Sequence, residues 1–292
     1  MTGFASVLVA AARPRTLPVA VVPVLVGTAV AHSIGRAELR VAIVALASAL
    51  AIQIGTNYAN DVFDAEKGAD GPDRVGPTRA VAAGLVSAAA MRRAMWASFA
   101  IATLLGLELV RTAGWSVVAI GVASIAAGIA YTGGPAPLAY RGLGDVAVLV
   151  FFGFVAVVGT VFVETRTLVP LAFLAAVPVG CLATAILVVN NVRDRATDAR
   201  AGKRTLVVRF GRRAAEREHL ALILAAFVGS ATTALWLRSP LPLLPLVTVP
   251  LAVRAVRDVA RRDGAELNET LAGAARLSLA FGASYAVGIA LA

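Results

Sequence analysis

The stretch Asn57-Tyr58-Ala59-Asn60-Asp61-Val62-Phe63-Asp64 closes an uncharged run over 41–60 and leads into a polar segment. A second stretch, Asn190-Asn191-Val192-Arg193-Asp194 through Asp198, closes another uncharged run over 168–192. Carboxylates are costly inside a bilayer and are seldom placed at its edge in matching clusters without a reason. Each cluster ends a long apolar run, and each is followed by basic residues. The pair points to one shared site at one end of a membrane-embedded bundle.

The rest of the chain supports that setting. Of 292 residues, 59% are hydrophobic and only 15% are charged, against about 25% charged in an ordinary soluble domain. The apolar residues fall in blocks, with uncharged runs over 17–35, 41–60, 112–140, 146–163, 168–192 and 220–237. A spanning helix needs about 20 mostly apolar residues, so the expected fold is an all-α polytopic membrane protein. The runs do not alternate apolar with polar, which argues against a β-barrel. Nine spans are expected, near 17–35, 41–59, 94–110, 114–131, 145–163, 168–190, 219–237, 241–256 and 276–291. The eighth is short and crowded by Pro240, Pro242, Pro245 and Pro250. The N-terminal run lacks a small-residue cleavage site and is read as a span, not as a signal peptide.

The net charge of +10 could point to nucleic acid, but the cations punctuate apolar runs instead of forming a basic domain, so no nucleic-acid partner is expected. They polarise the chain instead. All but five of the 27 (Arg36, Arg40, Arg111, Arg166 and Arg238) fall on one side of the expected spans. By the positive-inside rule that side is cytoplasmic, with the N-terminus and both acidic clusters on it. The expected location is the cell (inner) membrane, crossed many times. Cys181 is the sole cysteine. It lies in an apolar run and reads as a small buried residue, so neither an intrachain disulfide nor a one-chain thiolate cluster can form.

The whole chain, 1–292, reads as one membrane domain with a coarse internal repeat. Asp61 and Asp194 stand 133 positions apart, and each cluster leads into a basic loop holding a Gly–Lys pair (Lys67-Gly68, Gly202-Lys203). Two pseudo-repeated four-helix halves around a central cavity, plus a ninth helix, follow from this pattern.

At 100° per residue, Asn57, Asp61 and Asp64 span about 60° of a helix face, and Asn190, Asp194 and Asp198 about 80°. Each cluster is therefore a stripe of oxygen ligands. Mg2+ takes oxygen ligands, usually one or two carboxylates with water and phosphate, so a diphosphate between the stripes is the chemistry they suit. A single aspartate at a membrane edge is more often a solvated charge or a cap; two matched stripes are harder to explain that way. Lys67, Arg74, Arg79, Arg193, Lys203 and Arg204 could contact phosphate oxygens, although positive-inside bias alone also places cations in such loops. Tyr131, in the turn-rich segment Tyr131-Thr132-Gly133-Gly134-Pro135, could face a cation through its ring or serve as an interfacial anchor. Phe151-Phe152 reads as lipid-facing or packed, and His32 as interfacial.

At these residues the chain resembles the UbiA superfamily of intramembrane prenyltransferases along nearly its whole length. It is most similar to the branch that prenylates 1,4-dihydroxy-2-naphthoate in menaquinone biosynthesis. Three stretches carry the likeness: Arg13-Pro14-Arg15-Thr16-Leu17-Pro18 with Pro23 to Thr28; Asn57 to Asp64 with Lys67-Gly68-Ala69-Asp70 and Asp73-Arg74-Val75-Gly76-Pro77-Thr78-Arg79; and Asn190 to Asp198 with Gly202-Lys203-Arg204-Thr205 through Gly211. The spacing Asp61-x2-Asp64, with alanine at 65, departs from the superfamily's commoner Asn-x3-Asp-x3-Asp and leaves open whether Asp64 or Asp70 is the outer ligand.

The resemblance implies Mg2+ as cofactor, held with the diphosphate by Asn57, Asp61, Asp64, Asn190, Asp194 and Asp198. Asp61, Asp64, Asp194, Asp198, Lys67 and Tyr131 would serve catalysis. Asn57, Asn60, Asp70, Arg74, Arg79, Arg141, Asn190, Asn191, Arg193, Lys203 and Arg15 would bind substrate, with Arg141 or Arg15 orienting the acceptor's carboxylate. The implied substrates are a polyprenyl diphosphate from the lipid bilayer and 1,4-dihydroxy-2-naphthoate, giving demethylmenaquinone, CO2 and diphosphate. A different acceptor such as 4-hydroxybenzoate is the alternative within the class. A membrane transporter is the alternative outside it, although transporters usually place binding residues near the midplane.

Overall fold

The computed structural model describes residues 3–71 and 74–292; Asp73 of the second motif lies outside the described residues. The described residues form helices and turns, and no strand. In chain order the helices are α1 Phe4–Ala11, α2 Pro18–Ser33, α3 Leu39–Glu66, α4 Ala88–Ala113, α5 Ser116–Ala130, α6 Gly144–Thr165, α7 Pro170–Arg200, α8 Leu206–Phe210, α9 Arg212–Leu237, α10 Val249–Arg261 and α11 Leu267–Ala290.

Local chemistry explains many of the boundaries. Pro18 and Pro170 begin α2 and α7, where a missing N–H and fixed φ cost nothing. Ser87 caps α4 by accepting from the Ala90 amide at 3.2 Å. Gly114 ends α4 at φ 84°, a left-handed conformation that glycine adopts freely.

Helices stand at the expected positions, but they are not equally suited to crossing. By length and composition α3, α4, α6, α7 and α9 can span a bilayer, and a sixth crossing arises if α1 and α2, bent by 53°, act as one. The nine expected spans thus reduce to five or six on this measure. The fourth expected span is only the 15 residues of α5. The eighth is split into a 3-10 stretch over Leu241–Thr248 and the basic helix α10, because its prolines cannot continue an α-helical ladder.

Helix α7 is the central element: 78% of its apolar window is buried, against 22–28% for the other four spans. Around it Val22, Val26 and Val30 of α2, Val157 and Val161 of α6, and Phe281, Tyr285 and Ile289 of α11 form the largest apolar cluster. Several polar groups inside this layer are paired. Glu164 accepts from Thr28 Oγ1 at 2.7 Å and from the Glu38 amide at 3.2 Å, and Thr233 and Tyr285 share a hydrogen bond of 2.6 Å. Where α6 meets α7 it carries a π-helical stretch over Leu149–Val155. Gly153 and Gly180 lie back to back there; a Cβ on Gly153 would stand 2.9 Å from the Ala176 carbonyl oxygen and the Gly180 Cα. Phe151 and Phe152 of this stretch line an internal cavity, and Phe152 also packs against the apolar cluster that holds Val188 and Val189, in keeping with the packed alternative of its reading.

Candidate active site

Both acidic stretches lie inside helices. α3 continues to Glu66 and α7 to Arg200, each several residues beyond its apolar run. The two ends are capped alike. The Ala69 amide donates to the Asp64 carbonyl at 2.9 Å, with Gly68 at φ 66°. The Lys203 amide donates to the Asp198 carbonyl at 2.9 Å, with Gly202 at φ 75°. In each case a left-handed glycine lets a bond close from five residues downstream. The caps therefore match Asp64 with Asp198, an offset of 134 positions. At that offset the partner of Asp194 is Asn60, one position from Asp61, which the sequence pattern had matched to it.

The cavity agrees with the caps. It holds about 460 Å3 and is lined at one end by Asn57, Asn60, Asp64, Asn190, Asn191, Asp194, Thr197 and Asp198, and below that by apolar residues of α2 to α7. Asp61 is not on its wall. The Asp61 carboxylate is buried and accepts from the backbone amides of Ala80 at 3.1 Å and Val81 at 2.9 Å. It clips the loop that carries Arg79 to the end of α3.

Asp64 is the hub. Its Oδ1 accepts from the Tyr140 hydroxyl at 3.0 Å; its Oδ2 lies 3.2 Å from Lys203 Nζ and 3.4 Å from Arg79 Nη2. Lys203 Nζ also lies 3.7 Å from Asp198 Oδ1, so one ammonium bridges the two acidic helices. Their carboxylates are then within about 7 Å of each other, a span that a hydrated divalent cation and a phosphate can fill. Asp194 holds the guanidinium of Arg193 at 2.8 and 2.6 Å; that group also donates to Asn190 at 2.8 Å and Asn268 at 3.0 Å. Arg193 is thereby a brace for the second cluster and not a free phosphate ligand.

The Tyr131 to Leu143 segment ties the clusters together. Thr132 Oγ1 donates to Asn60 Oδ1 at 2.8 Å, Lys67 donates to the Thr132 carbonyl, and the Arg204 amide donates to the Tyr140 carbonyl at 3.0 Å. Lys67 and Lys203 both stand over the Tyr140 ring, at 4.6 and 5.1 Å. Gly133 is required by close approach, since a Cβ there would lie 2.7 Å from Phe63 Cε2 and the Ile129 oxygen. Burial, and then the carboxylate of Asp64, push the Tyr140 phenol well above its ordinary value. Tyr131 is likewise raised, by burial and then by Asp145, Asp64 and Asp198; its ring faces the cavity. Burial lowers Lys67, offset in part by Asp64. Asp70 contacts Arg74 and lies 3.3 Å from Arg79 Nε, yet burial outweighs the pull of Arg74 and lifts its carboxyl to about 6.

Of the residues expected from sequence, the structure brings Asn57, Asn60, Asp64, Arg74, Arg79, Tyr131, Asn190, Asn191, Asp194, Asp198 and Lys203 to one cavity. Asp61, Lys67, Asp70 and Arg193 stand behind that wall; the last three pair with its residues, and Asp61 holds the loop next to Arg79. Arg15 and Arg141 are exposed and do not line the cavity. Sequence reasoning left Arg13, Thr132, Tyr140 and Thr205 off the site. Arg13 and Thr205 line the cavity, each with a buried polar atom that has no hydrogen-bond partner among the described residues. Both lie in the stretches that carried the resemblance, which was the available signal.

A Mg2+ ion fits this donor set. The cavity-facing groups are oxygen donors of carboxylates and side-chain amides, with no thiol or imidazole among them. Among the described residues, no three His, Cys, Asp or Glu side chains form a closed cage. That suits an ion that keeps water and binds through one or two carboxylates plus phosphate.

The profile of the UbiA prenyltransferase family matches residues 20–282. The chain belongs to the UbiA prenyltransferase family. Within that family it is 42% identical over 256 residues to the 1,4-dihydroxy-2-naphthoate octaprenyltransferase of Escherichia coli (strain K12), covering 85% of this chain and 83% of that protein. It is 43% identical to the enzyme of the same name from Mycobacterium tuberculosis, covering 89% and 88%. The fold matches a UbiA homologue from Archaeoglobus fulgidus, solved bound to DMAPP and Mg2+, at a TM-score of 0.63 and 18% identity over 95% of this chain and 99% of that one.

Proposed function

We propose that the chain transfers a polyprenyl group from polyprenyl diphosphate to 1,4-dihydroxy-2-naphthoate, releasing diphosphate and CO2 and giving demethylmenaquinone in its quinol form. The observation that carries this reading is a single cavity with oxygen donors and cations at one end and an apolar body below. The acceptor is taken from the relatives named for it, at 42–43% identity over most of both chains.

Asp64 and Asn60 from α3, and Asp194, Asp198 and Asn190 from α7, are the residues we assign to Mg2+ and diphosphate. The UbiA homologue solved with DMAPP and Mg2+ supports the metal. Bound there, Mg2+ would neutralise charge on the departing diphosphate. Lys203, Arg74 and Arg79, which line the cavity, would donate to phosphate oxygens of the diphosphate. The allylic C1–O bond breaks, and diphosphate leaves with the bonding electrons. The ring carbon bearing the carboxylate attacks C1; the C–CO2 bond then breaks and its electrons restore the aromatic ring. Tyr131, Phe151 and Phe152 offer aromatic faces to the developing cation, and the apolar walls exclude water that would quench it.

We further propose nine crossings in two four-helix halves plus a ninth helix, forming one domain in the cytoplasmic membrane with both acidic clusters inside. The matched caps after α3 and α7 support the repeat, and the basic bias supports the orientation. Purified protein should be incubated with Mg2+, a polyprenyl diphosphate, and either 1,4-dihydroxy-2-naphthoate or 4-hydroxybenzoate. A decarboxylated prenyl-naphthoquinol mass is the expected product. Turnover with 4-hydroxybenzoate alone would reject the acceptor, and no transfer to either would reject the reading.

A further inference from the structure

The proposed acceptor is an anion, and most of the cavity it enters is apolar. A carboxylate leaves water at high cost unless a cation meets it. Four cations line the cavity: Arg13, Arg74, Arg79 and Lys203. Three already face carboxylates. Arg74 contacts Asp70, Arg79 lies 3.4 Å from Asp64, and Lys203 lies 3.2 Å from Asp64. Arg13 differs. Among the described residues it forms no ion pair, and its Nη2 is shut away from solvent without a hydrogen-bond partner. Asp61, Asp64 and Asp70 act on it only at longer range.

Its backbone is unusual for a residue with a side chain. Arg13 sits at φ 55°, ψ 67°, a left-handed conformation that costs a non-glycine residue about 1 kcal/mol or more. Both sides pin it: the Ala12 carbonyl accepts from Asn57 Nδ2 at 2.9 Å, and Pro14 opens a 3-10 turn. The chain bends by 53° four residues on, between Phe4–Thr16 and Pro18–Ser33. Anchored beside Asn57 through the Ala12 carbonyl, Arg13 lines the cavity within electrostatic reach of Arg74, Asp61, Asp64 and Asp70. Arg15 and Arg141, the cations that sequence offered for this task, point elsewhere.

We propose that Arg13 binds the carboxylate of the aromatic acceptor through its guanidinium fork and so turns the carboxylate-bearing carbon toward C1 of the donor. A planar fork matches a carboxylate in two parallel hydrogen bonds, which a lysine cannot reproduce. The assignment rests on the function proposed above, and its test separates the two. Steady-state kinetics of Arg13→Gln and Arg13→Lys should be measured against each substrate in turn. Separately, the thermal stabilisation of wild type and Arg13→Gln should be compared with 1-hydroxy-2-naphthoate and with 1-naphthol, which lacks the carboxylate.

Arg13→Gln should raise the acceptor KM about 10–100-fold while donor KM stays within about twofold. Arg13→Lys, keeping charge without the fork, should recover part of the loss. The stabilisation by 1-hydroxy-2-naphthoate in excess of that by 1-naphthol should vanish in Arg13→Gln. A raised donor KM with unchanged acceptor KM would give Arg13 to the diphosphate and overturn the proposal, as would retention of the carboxylate-dependent stabilisation. Failure of the wild type to prenylate any naphthoate would count against the proposed function, while the ligand-stabilisation comparison would still decide the role of Arg13.

Discussion

Replacing Asp61 separates the two kinds of aspartate in the first cluster. The Asp61 carboxylate uses one oxygen for the Ala80 amide and the other for the Val81 amide, at 3.1 and 2.9 Å. Asparagine can accept only one of these and turns an NH2 toward the other N–H. Leaving one buried amide unpaired costs about 1–3 kcal/mol, equivalent to a Tm lower by roughly 2–12 °C at about 2–4 °C per kcal/mol. The two amides belong to the loop that places Arg79 beside Asp64, so donor KM should rise as that loop loosens. The Mg2+ concentration for half-maximal rate should not move, because Asp61 is off the cavity wall. The assay is a melting curve of detergent-purified Asp61→Asn with Mg2+ titrations of its activity at a temperature where it is folded. An unchanged Tm combined with a large increase in Mg2+ requirement would refute this reasoning and return Asp61 to the metal.

Asp64→Asn and Asp198→Asn should lose turnover at any Mg2+ concentration, and Asp64→Asn, which leaves Lys203 and Arg79 facing a neutral amide, should lower Tm as well; chelation of divalent ions should abolish wild-type activity, and re-addition of Mg2+ should restore it. Gly153→Ala sets a Cβ 2.9 Å from backbone atoms of α7, where neither helix can yield cheaply, so a stability loss of about 1–3 kcal/mol is expected in a thermal scan. Donor KM should inflect near pH 6: above it ionised Asp70 holds Arg74 and Arg79, below it the protonated carboxyl releases them, and Asp70→Asn should flatten the profile. A cysteine at Arg204 should be labelled only from the cytoplasm and one at Arg166 only from outside; labelling of the Arg204 position from outside would reverse the orientation.

The acidic clusters were legible in sequence because charge at the end of an apolar run stands out against its surroundings. So were the positions of the helices, since the breaks between apolar runs fall where turns form. The facing of the first cluster was not legible. Asn57, Asp61 and Asp64 form a plausible stripe at helical spacing, and so do Asn60 and Asp64. The choice between them is made by the loop over 79–83, which offers two amides to Asp61, and by Thr132, which reaches Asn60 from 72 positions away. Arg15 and Arg141 were named for their charge and proximity to motifs, but which side of a turn a side chain leaves by depends on φ. Arg13 lines the cavity from a left-handed backbone, a feature that no pattern of apolar and polar residues encodes. The π-helical stretch that carries Phe151 and Phe152 is equally invisible to a 3.6-residue periodicity.

The most direct test of the central claim uses 1,4-dihydroxy-2-naphthoate labelled with 14C at the carboxyl group, octaprenyl diphosphate and Mg2+ with the purified protein. Released 14CO2 and prenylated quinol should be counted together over the time course. Attack at the carboxylate-bearing carbon predicts one CO2 for each product at every time point, with no label in the product. A prenylated product that keeps its label, or CO2 released without prenyl transfer, would contradict the account.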